Sequence, residues 1–261
     1  LVGHGYQEFY TTQNNYPTYF QNGTLNTGEA APLYPDDKNG FAIESYLGRM
    51  NLTLADKYLI TASIRRDASS KFAKDKRVGY FPAVALAWKL KDEFFKTASV
   101  LTDLKLSASW GKTGQQDGIA YNYYLPIYYQ GQNSAQYEFG GQYYNNYRPT
   151  AFNPDLKWET TETSNLGLDF GFIKNRVTGS IDVYQKKTSD LLSYIDVAPG
   201  ANFDITILKN IGNLENKGVE FSVNTVPVKT AKLTWDLGFN ISYNKTEITK
   251  LNQQQGSGYK G

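Results

Sequence analysis

Unbroken alternation of apolar and polar residues limits this sequence more than any other feature. From Leu233 to Tyr243, Leu233, Trp235, Leu237, Phe239, Ile241 and Tyr243 fall on one side. Thr234, Asp236, Gly238, Asn240 and Ser242 fall on the other. Successive side chains of an extended strand point to opposite faces, so this pattern makes a ribbon with one greasy and one wet face, and it is out of phase with a helix. In a chain that is 40% hydrophobic, an eleven-residue match of this kind arises by chance about 3 times in 10,000 at a given start. Seven further segments repeat it. They carry Tyr46–Leu54, Tyr58–Ile64, Val78–Trp88, Leu104–Trp110, Leu166–Phe172, Val177–Val183 and Val219–Val223 on their apolar sides. Pro82 stands inside the third of these and has no N–H for a ladder, so a bulge or an unpaired stretch is expected there.

The connections between the eight strands are unequal in an ordered way. Links after the first, fifth and seventh are short: Ala55-Asp56-Lys57, Ile173-Lys174-Asn175 and the segment around Pro227. The link after the third is longer, with one helical turn expected at Asp92-Glu93-Phe94-Phe95. Links after the second, fourth and sixth span about 12, 45 and 25 residues. In an up-and-down meander alternate links lie at the same end, so one end is trimmed and the other carries long loops. That asymmetry, with runs approaching the ~9–11 residues a tilted membrane strand needs, predicts an all-β, transmembrane antiparallel β-barrel with short periplasmic turns and long outer loops. The reading divides residues 1–261 into an outer loop (1–42), strands one to four (43–112), a tyrosine-rich outer loop (113–157), strands five to eight (158–246) and an outer tail (247–261).

Composition agrees where it bears on the choice. Aromatic residues make up 15% of the chain, 21 of them tyrosine, yet mean hydropathy is −0.52. Strands with one wet face and aromatic girdles at a membrane boundary produce that combination. The longest apolar run, Phe81 to Trp88, is far short of the ~20 residues of a membrane helix. A formal charge of +2 argues against a nucleic-acid partner. With no cysteine and only His4, neither a thiolate metal site nor histidine-based catalysis has material to work with. No signal peptide opens the sequence, and a mature or excised piece is expected.

The wording of several segments resembles the SusC/RagA family of TonB-linked outer-membrane proteins. The matching pieces are Arg65-Arg66-Asp67-Ala68-Ser69-Ser70-Lys71-Phe72, Gly79-Tyr80-Phe81-Pro82, and Leu106-Ser107-Ala108-Ser109-Trp110-Gly111-Lys112-Thr113-Gly114. Asn153-Pro154-Asp155-Leu156-Lys157-Trp158-Glu159, Asn165 to Phe170, Asp182-Val183-Tyr184 and Thr188 to Leu192 follow. Asn210-Ile211-Gly212-Asn213 and Asn216-Lys217-Gly218-Val219-Glu220 complete the set. The resemblance implies a barrel of about 22 strands around a plug, working with a SusD-like surface lipoprotein as lid. It implies import of oligosaccharides or peptides, driven through the TonB complex. The plug and the TonB-contacting segment have no match here, so a middle-to-late portion of a longer polypeptide is the expectation. A small non-transporting barrel (adhesin-like or enzymatic) and a soluble β-rich carbohydrate-binding module are the competing readings.

Ligand contact is expected from Tyr121, Tyr123, Tyr124, Tyr128, Tyr129, Tyr143, Tyr144 and Tyr147. Their rings stack on apolar faces of a ligand while the hydroxyls hydrogen-bond, at low entropic cost; packing within the loop is the competing role. Trp88, Trp110, Trp235 and Tyr243, together with Trp158, are expected to anchor at the membrane interface or touch lipid. Arg49, Arg65, Lys105, Asp169, Asp182, Glu220 and Asp236 occupy wet faces, where a solvated, mutually paired wall accommodates them. Asp36-Asp37 and Asn153-Pro154-Asp155 offer oxygens to Ca²⁺ without a diagnostic spacing, and Glu159 with Glu162 makes no convincing acid/base pair. No catalytic residue, metal site or cofactor is assigned.

Overall fold

The structure, a computed structural model, describes residues 2–13, 37–121, 123–126, 128–130, 136–197 and 206–250; side chains are described from Phe41 onward, except at 129, 130, 148 and 149. Residues 14–36 of the expected outer loop, Asp36 among them, and residues 251–261 of the expected outer tail lie outside the described residues.

One antiparallel sheet holds nine long strands that follow one another in space as they do along the chain. They are β1 (Val2–Gln13), β2 (Asp37–Leu54), β3 (Tyr58–Ser69), β4 (Val78–Lys89), β5 (Leu101–Gln115), β10 (Glu159–Phe172), β11 (Val177–Ser189), β14 (Asn213–Lys229) and β15 (Thr234–Lys250). The last eight are the strands that alternation predicts. β1 is additional: it runs through a stretch expected to be loop and pairs with β2 from Val2↔Gly48 to Gln13↔Asp37. Its polar, aromatic sequence does not alternate cleanly, so it gave no period-two signal. Between these strands lie β6 (Tyr128–Gln130) with β9 (Tyr147–Pro149), the hairpin β7 (Gln136–Phe139) and β8 (Gln142–Asn145), and β12 (Leu192–Asp196) with β13 (Thr206–Asn210).

Register carries the alternation from strand to strand. Leu52, Ile60, Leu86, Ala108, Leu166, Val183, Val219 and Tyr243 form one row across eight strands; Leu54, Tyr58, Trp88, Leu106, Leu168, Ile181, Phe221 and Ile241 form the next. A one-residue slip in any strand would move its greasy side to the wet face, which is why the pairing is so strongly specified. Among the described residues nothing covers this face: Met50, Leu86, Leu166, Phe239 and Ile241 are all exposed. Soluble monomers rarely present contiguous apolar patches beyond several hundred Å².

The short links have local causes. Ala55 and Asp56 take φ of +50° and +54° and Lys57 N–H donates to the Leu54 carbonyl at 3.0 Å, which matches a primed turn and the twist of the flanking strands. The helical turn after β4 is α1 (Leu90–Phe94). Two details differ from expectation. Pro82 causes no register shift against β3; the ladder to β5 instead begins one residue later, at Ala83↔Gly111. Pro227 is not the link after the seventh strand, because β14 runs on to Lys229 and the turn is at 230–233. The proline falls within the register shift between Thr225 and Val228, a bulge that tolerates its missing donor.

Candidate functional site

At the long-loop end of the sheet the loops fold into a small core of their own. Phe72, Phe81, Ile119, Leu156, Trp158 and Leu208 are buried together, with Tyr123 and Leu192 packed against them. These residues come from the β3–β4 turn, β4, the long β5–β10 segment and β13. Trp158 is therefore not a lipid anchor. Its ring lies 5.0 Å from Phe72 and meets Phe81 edge-on at 5.5 Å, and its Nε1–H donates to the Arg77 carbonyl at 3.0 Å. Phe81 reaches this core because it sits out of phase on β4, opposite Tyr80 and Pro82. Gly79 and Gly114 leave its ring space: a Cβ on either would come within 2.6 and 2.1 Å of Phe81 Cζ.

Polar side chains tie the loops to one another. Asn153 is buried and makes three links: its Oδ1 accepts from Asp155 N–H at 3.0 Å, its Nδ2 donates to the Leu208 carbonyl at 2.8 Å, and its own N–H donates to the Tyr123 carbonyl at 2.8 Å. Its oxygen is thus spent on a turn rather than offered to a cation. Asn210 repeats the device, donating to Lys157 and Asp190 carbonyls at 2.9 and 2.8 Å while accepting from Lys157 N–H at 3.0 Å. Arg77 donates to the Phe72 carbonyl at 3.1 Å and to the Tyr124 hydroxyl at 3.4 Å. Glu159 accepts from Leu192 N–H at 2.9 Å, whereas Glu162 pairs with Lys112 at 3.5 Å; three residues apart on one strand, the two carboxylates face opposite ways and share no substrate. Buried polar groups left unpaired are costly, so each of these bonds fixes a loop in place.

The candidate tyrosines divide into two groups. Tyr121, Tyr123 and Tyr124 belong to the base. Tyr121 stacks on Phe41 at 5.6 Å with the Lys71 ammonium over both rings, and the Tyr123 hydroxyl accepts from Leu208 N–H at 2.9 Å. Burial holds the Lys71 pKa below its ordinary value, partly offset by Asp117. Tyr128 on β6, Tyr143 and Tyr144 on β8 and Tyr147 on β9 are exposed instead. Tyr144 stacks on Tyr137 across the β7–β8 hairpin at 5.5 Å, and Gly140 and Gly141 at positive φ close that hairpin. Tyr129 lies in β6, paired with Arg148.

Trp88, Trp110, Trp235 and Tyr243 all lie on the apolar face of the sheet. Trp88 sits at the short-turn end against Tyr58 and Phe94, and its Nε1–H joins the Tyr58 hydroxyl in donating to Glu93 Oε2, both at 2.7 Å. Those two donors, chiefly Tyr58, hold the Glu93 carboxyl below its ordinary pKa. On the wet face Lys105 pairs with Asp169 at 2.8 Å, Arg65 with Asp67 at 2.7 Å, and Asp182 accepts from Asn165 at 3.3 Å. The wet wall is in part self-paired.

Sequence reading missed the loop core. Its signals were present: Phe81 breaks the alternation of its strand, and the Asn153–Trp158 and Asn210–Asn213 segments were recognised only as family wording.

Comparison with known proteins follows the geometry. A family described as "TonB dependent receptor-like, beta-barrel" matches residues 1–260. The chain is 51% identical over 219 residues to the TonB-dependent receptor SusC of Bacteroides thetaiotaomicron, covering 82% of this chain and 22% of that protein. It is 36% identical over 225 residues to TonB-dependent receptor P39 of Formosa agariphila, covering 84% and 20%. Among solved structures, the RagAB peptide importer in its open-open state superimposes with a TM-score of 0.76 at 25% identity, covering 98% of this chain and 29% of that one. The chain thus spans about a fifth of the length of these curated relatives.

Proposed function

Because the chain belongs to the TonB-dependent receptor β-barrel family, with SusC and RagA-type transporters as its relatives, we propose that it supplies part of the wall and outer mouth of a nutrient importer. Members of this family are outer-membrane transporters rather than enzymes. In the proposed role the nine strands continue into a closed barrel of about 22, with the short turns in the periplasm and the long loops outside. Oligosaccharides or peptides are the substrates, a SusD-like lipoprotein the lid, and the TonB complex, engaging another part of the polypeptide, the energy source.

One observation carries this reading: on β11, β14 and β15 the apolar face gives way to polar and charged residues along a line in register. Trp235 and Tyr243 are eight residues apart, about 27 Å along the strand and about 20 Å in height once the strand tilts by ~40°. Beyond Tyr243 the same face turns charged, with Gln185, Lys217 and Lys245 in one row and Lys187, Glu215 and Glu247 in the next. An outward apolar band of about 25 Å bounded by aromatic and charged residues is what a membrane-spanning barrel requires. A soluble two-layer sandwich would bury that face against a second sheet. Here it stands open.

The loop core fits the same role. It fixes the base of the long loop so that the exposed tyrosines Tyr128, Tyr143, Tyr144 and Tyr147 stand beyond the rim, where we place ligand or lid contact. The test is uptake by cells making the full-length protein, with a panel of oligosaccharides and peptides, before and after collapse of the proton gradient. Energy-dependent uptake of one class supports the proposal. Uptake unaffected by gradient collapse, or unchanged when the gene is deleted, defeats it.

A further inference from the structure

The lipid-facing side is not evenly packed. A groove of about 680 Å³ crosses it, lined by Ala108, Ser164, Val183 and Tyr243, with Lys217 and Lys245 at its upper edge. A second groove of about 380 Å³ runs from Ala108 toward Tyr58 and Trp88. The two meet at Ala108, so the depression continues from the charged row to the aromatic residues at the short-turn end. Its origin is side-chain size. Ala108 stands between Leu86 and Leu166, and Ser164 between Trp110 and Gln185, so each small residue is flanked by larger ones.

The upper edge has an unusual charge arrangement. Lys217 and Lys245 are directly opposed across the β14–β15 ladder, and like charges in that relation repel. Each has a carboxylate two residues along its own strand: Glu215 lies 2.9 Å from Lys217, and Glu247 pairs with Lys245. Glu215 and Glu247 lie on the loop side of the amines. The side toward the groove offers no carboxylate among its lining residues, and there two ammonium groups border an apolar floor.

We propose that this groove holds a phosphate-bearing lipid of the surrounding leaflet, with an acyl chain over Ala108 and Ser164 and its phosphate between Lys217 and Lys245. The assignment rests on the barrel reading above. An anion between the two amines relieves their repulsion, and an acyl chain fills the trough that Ala108 and Ser164 leave between larger neighbours. Charge-assisted hydrogen bonds from two ammonium groups are about twice as strong as neutral ones.

The experiment uses the full-length protein in detergent, offered dioleoyl phosphatidic acid or dioleoylglycerol, with retained lipid counted by native mass spectrometry. The acyl chains are identical, so the comparison isolates the phosphate. Retention of phosphatidic acid at least tenfold above dioleoylglycerol is expected. In K217Q/K245Q it falls to the dioleoylglycerol level, and Ala108→Leu, which fills the floor without touching charge, lowers both. Equal retention of the two lipids, or undiminished phosphatidic acid on K217Q/K245Q, overturns the proposal. So does displacement by millimolar inorganic phosphate alone, which would mark a simple ion site. Wild-type protein that never enters the outer-membrane fraction would instead count against the barrel reading, so the two failures are distinguishable.

Discussion

Replacing Gly114 with alanine should loosen the long loops while leaving the sheet intact. An added Cβ would lie 2.1 Å from Phe81 Cζ and 2.4 Å from Cε1, against an ordinary contact of 3.4 Å or more. The ring must therefore retreat by more than 1 Å. It has nowhere easy to go, because Gly79 leaves only enough room for it and Trp158 meets it edge-on. Overpacking of a well-filled core costs about 1–3 kcal/mol. At ~1.4 kcal/mol per tenfold, the opened loop state becomes roughly 5- to 150-fold more populated. Limited proteolysis or hydrogen exchange on the full-length protein reads this directly: faster cleavage and exchange over 116–158 and 190–212, with the strands unchanged. Gly48→Ala is the control, since its Cβ would find only Ile64 Cγ2 at 3.9 Å and should change nothing. Phe81→Leu combined with Gly114→Ala should recover part of the loss by removing the clashing ring atoms. Equal protection of G114A and G48A, or a double variant worse than the sum of its parts, would refute the packing argument.

The remaining expectations are shorter. Asn153→Ala removes the side chain that makes two of its three loop links and leaves the Leu208 carbonyl unpaired, costing about 1–3 kcal/mol, visible as a lowered temperature for loop proteolysis; Asn153→Asp, which keeps the acceptor but not the donor, should be no better. Glu93 has a lowered pKa in the folded protein, so its bonds to Tyr58 and Trp88 contribute fully above its unfolded pKa of ~4.3 and are lost as pH falls through the lower folded value; an acid-dependent change in tryptophan emission should vanish in Glu93→Gln. Phe239→Arg on the apolar face should cost ~2–4 kcal/mol near the bilayer centre and reduce outer-membrane assembly, whereas Asn240→Arg on the wet face should assemble normally; equal assembly would contradict the orientation of the sheet. Tyr143→Ala with Tyr147→Ala should lower substrate uptake without lowering barrel yield, and unaltered uptake would remove these rings from the ligand.

Strand content and face assignment were legible because both depend on neighbours two residues apart. The run from Leu233 to Tyr243 could be read from its own letters, though not the continuation of β15 to Lys250 through the expected tail, and the short link at Ala55-Asp56 was equally legible. β1 was not, since its pairing is to residues 37–48 and its own sequence lacks alternation. Trp158 shows the same limit from the other direction. By sequence it is an aromatic residue near a strand end, like Trp88 or Trp235. Only the return of the chain through β13, some fifty residues later, surrounds it.

What the sequence alone determined is the ribbon: eight stretches with a greasy and a wet side, and short links alternating with long ones. These follow from local geometry, in which a two-residue repeat and a few turn residues leave little choice. The tertiary structure decided which residues the loops bury, that Phe81 and Trp158 face each other rather than solvent or lipid, and that Lys217 opposes Lys245 above a groove. Those depend on contacts between segments far apart in sequence, 28 residues between Lys217 and Lys245 and 86 between Phe72 and Trp158, where register and loop return, not local pattern, set who meets whom.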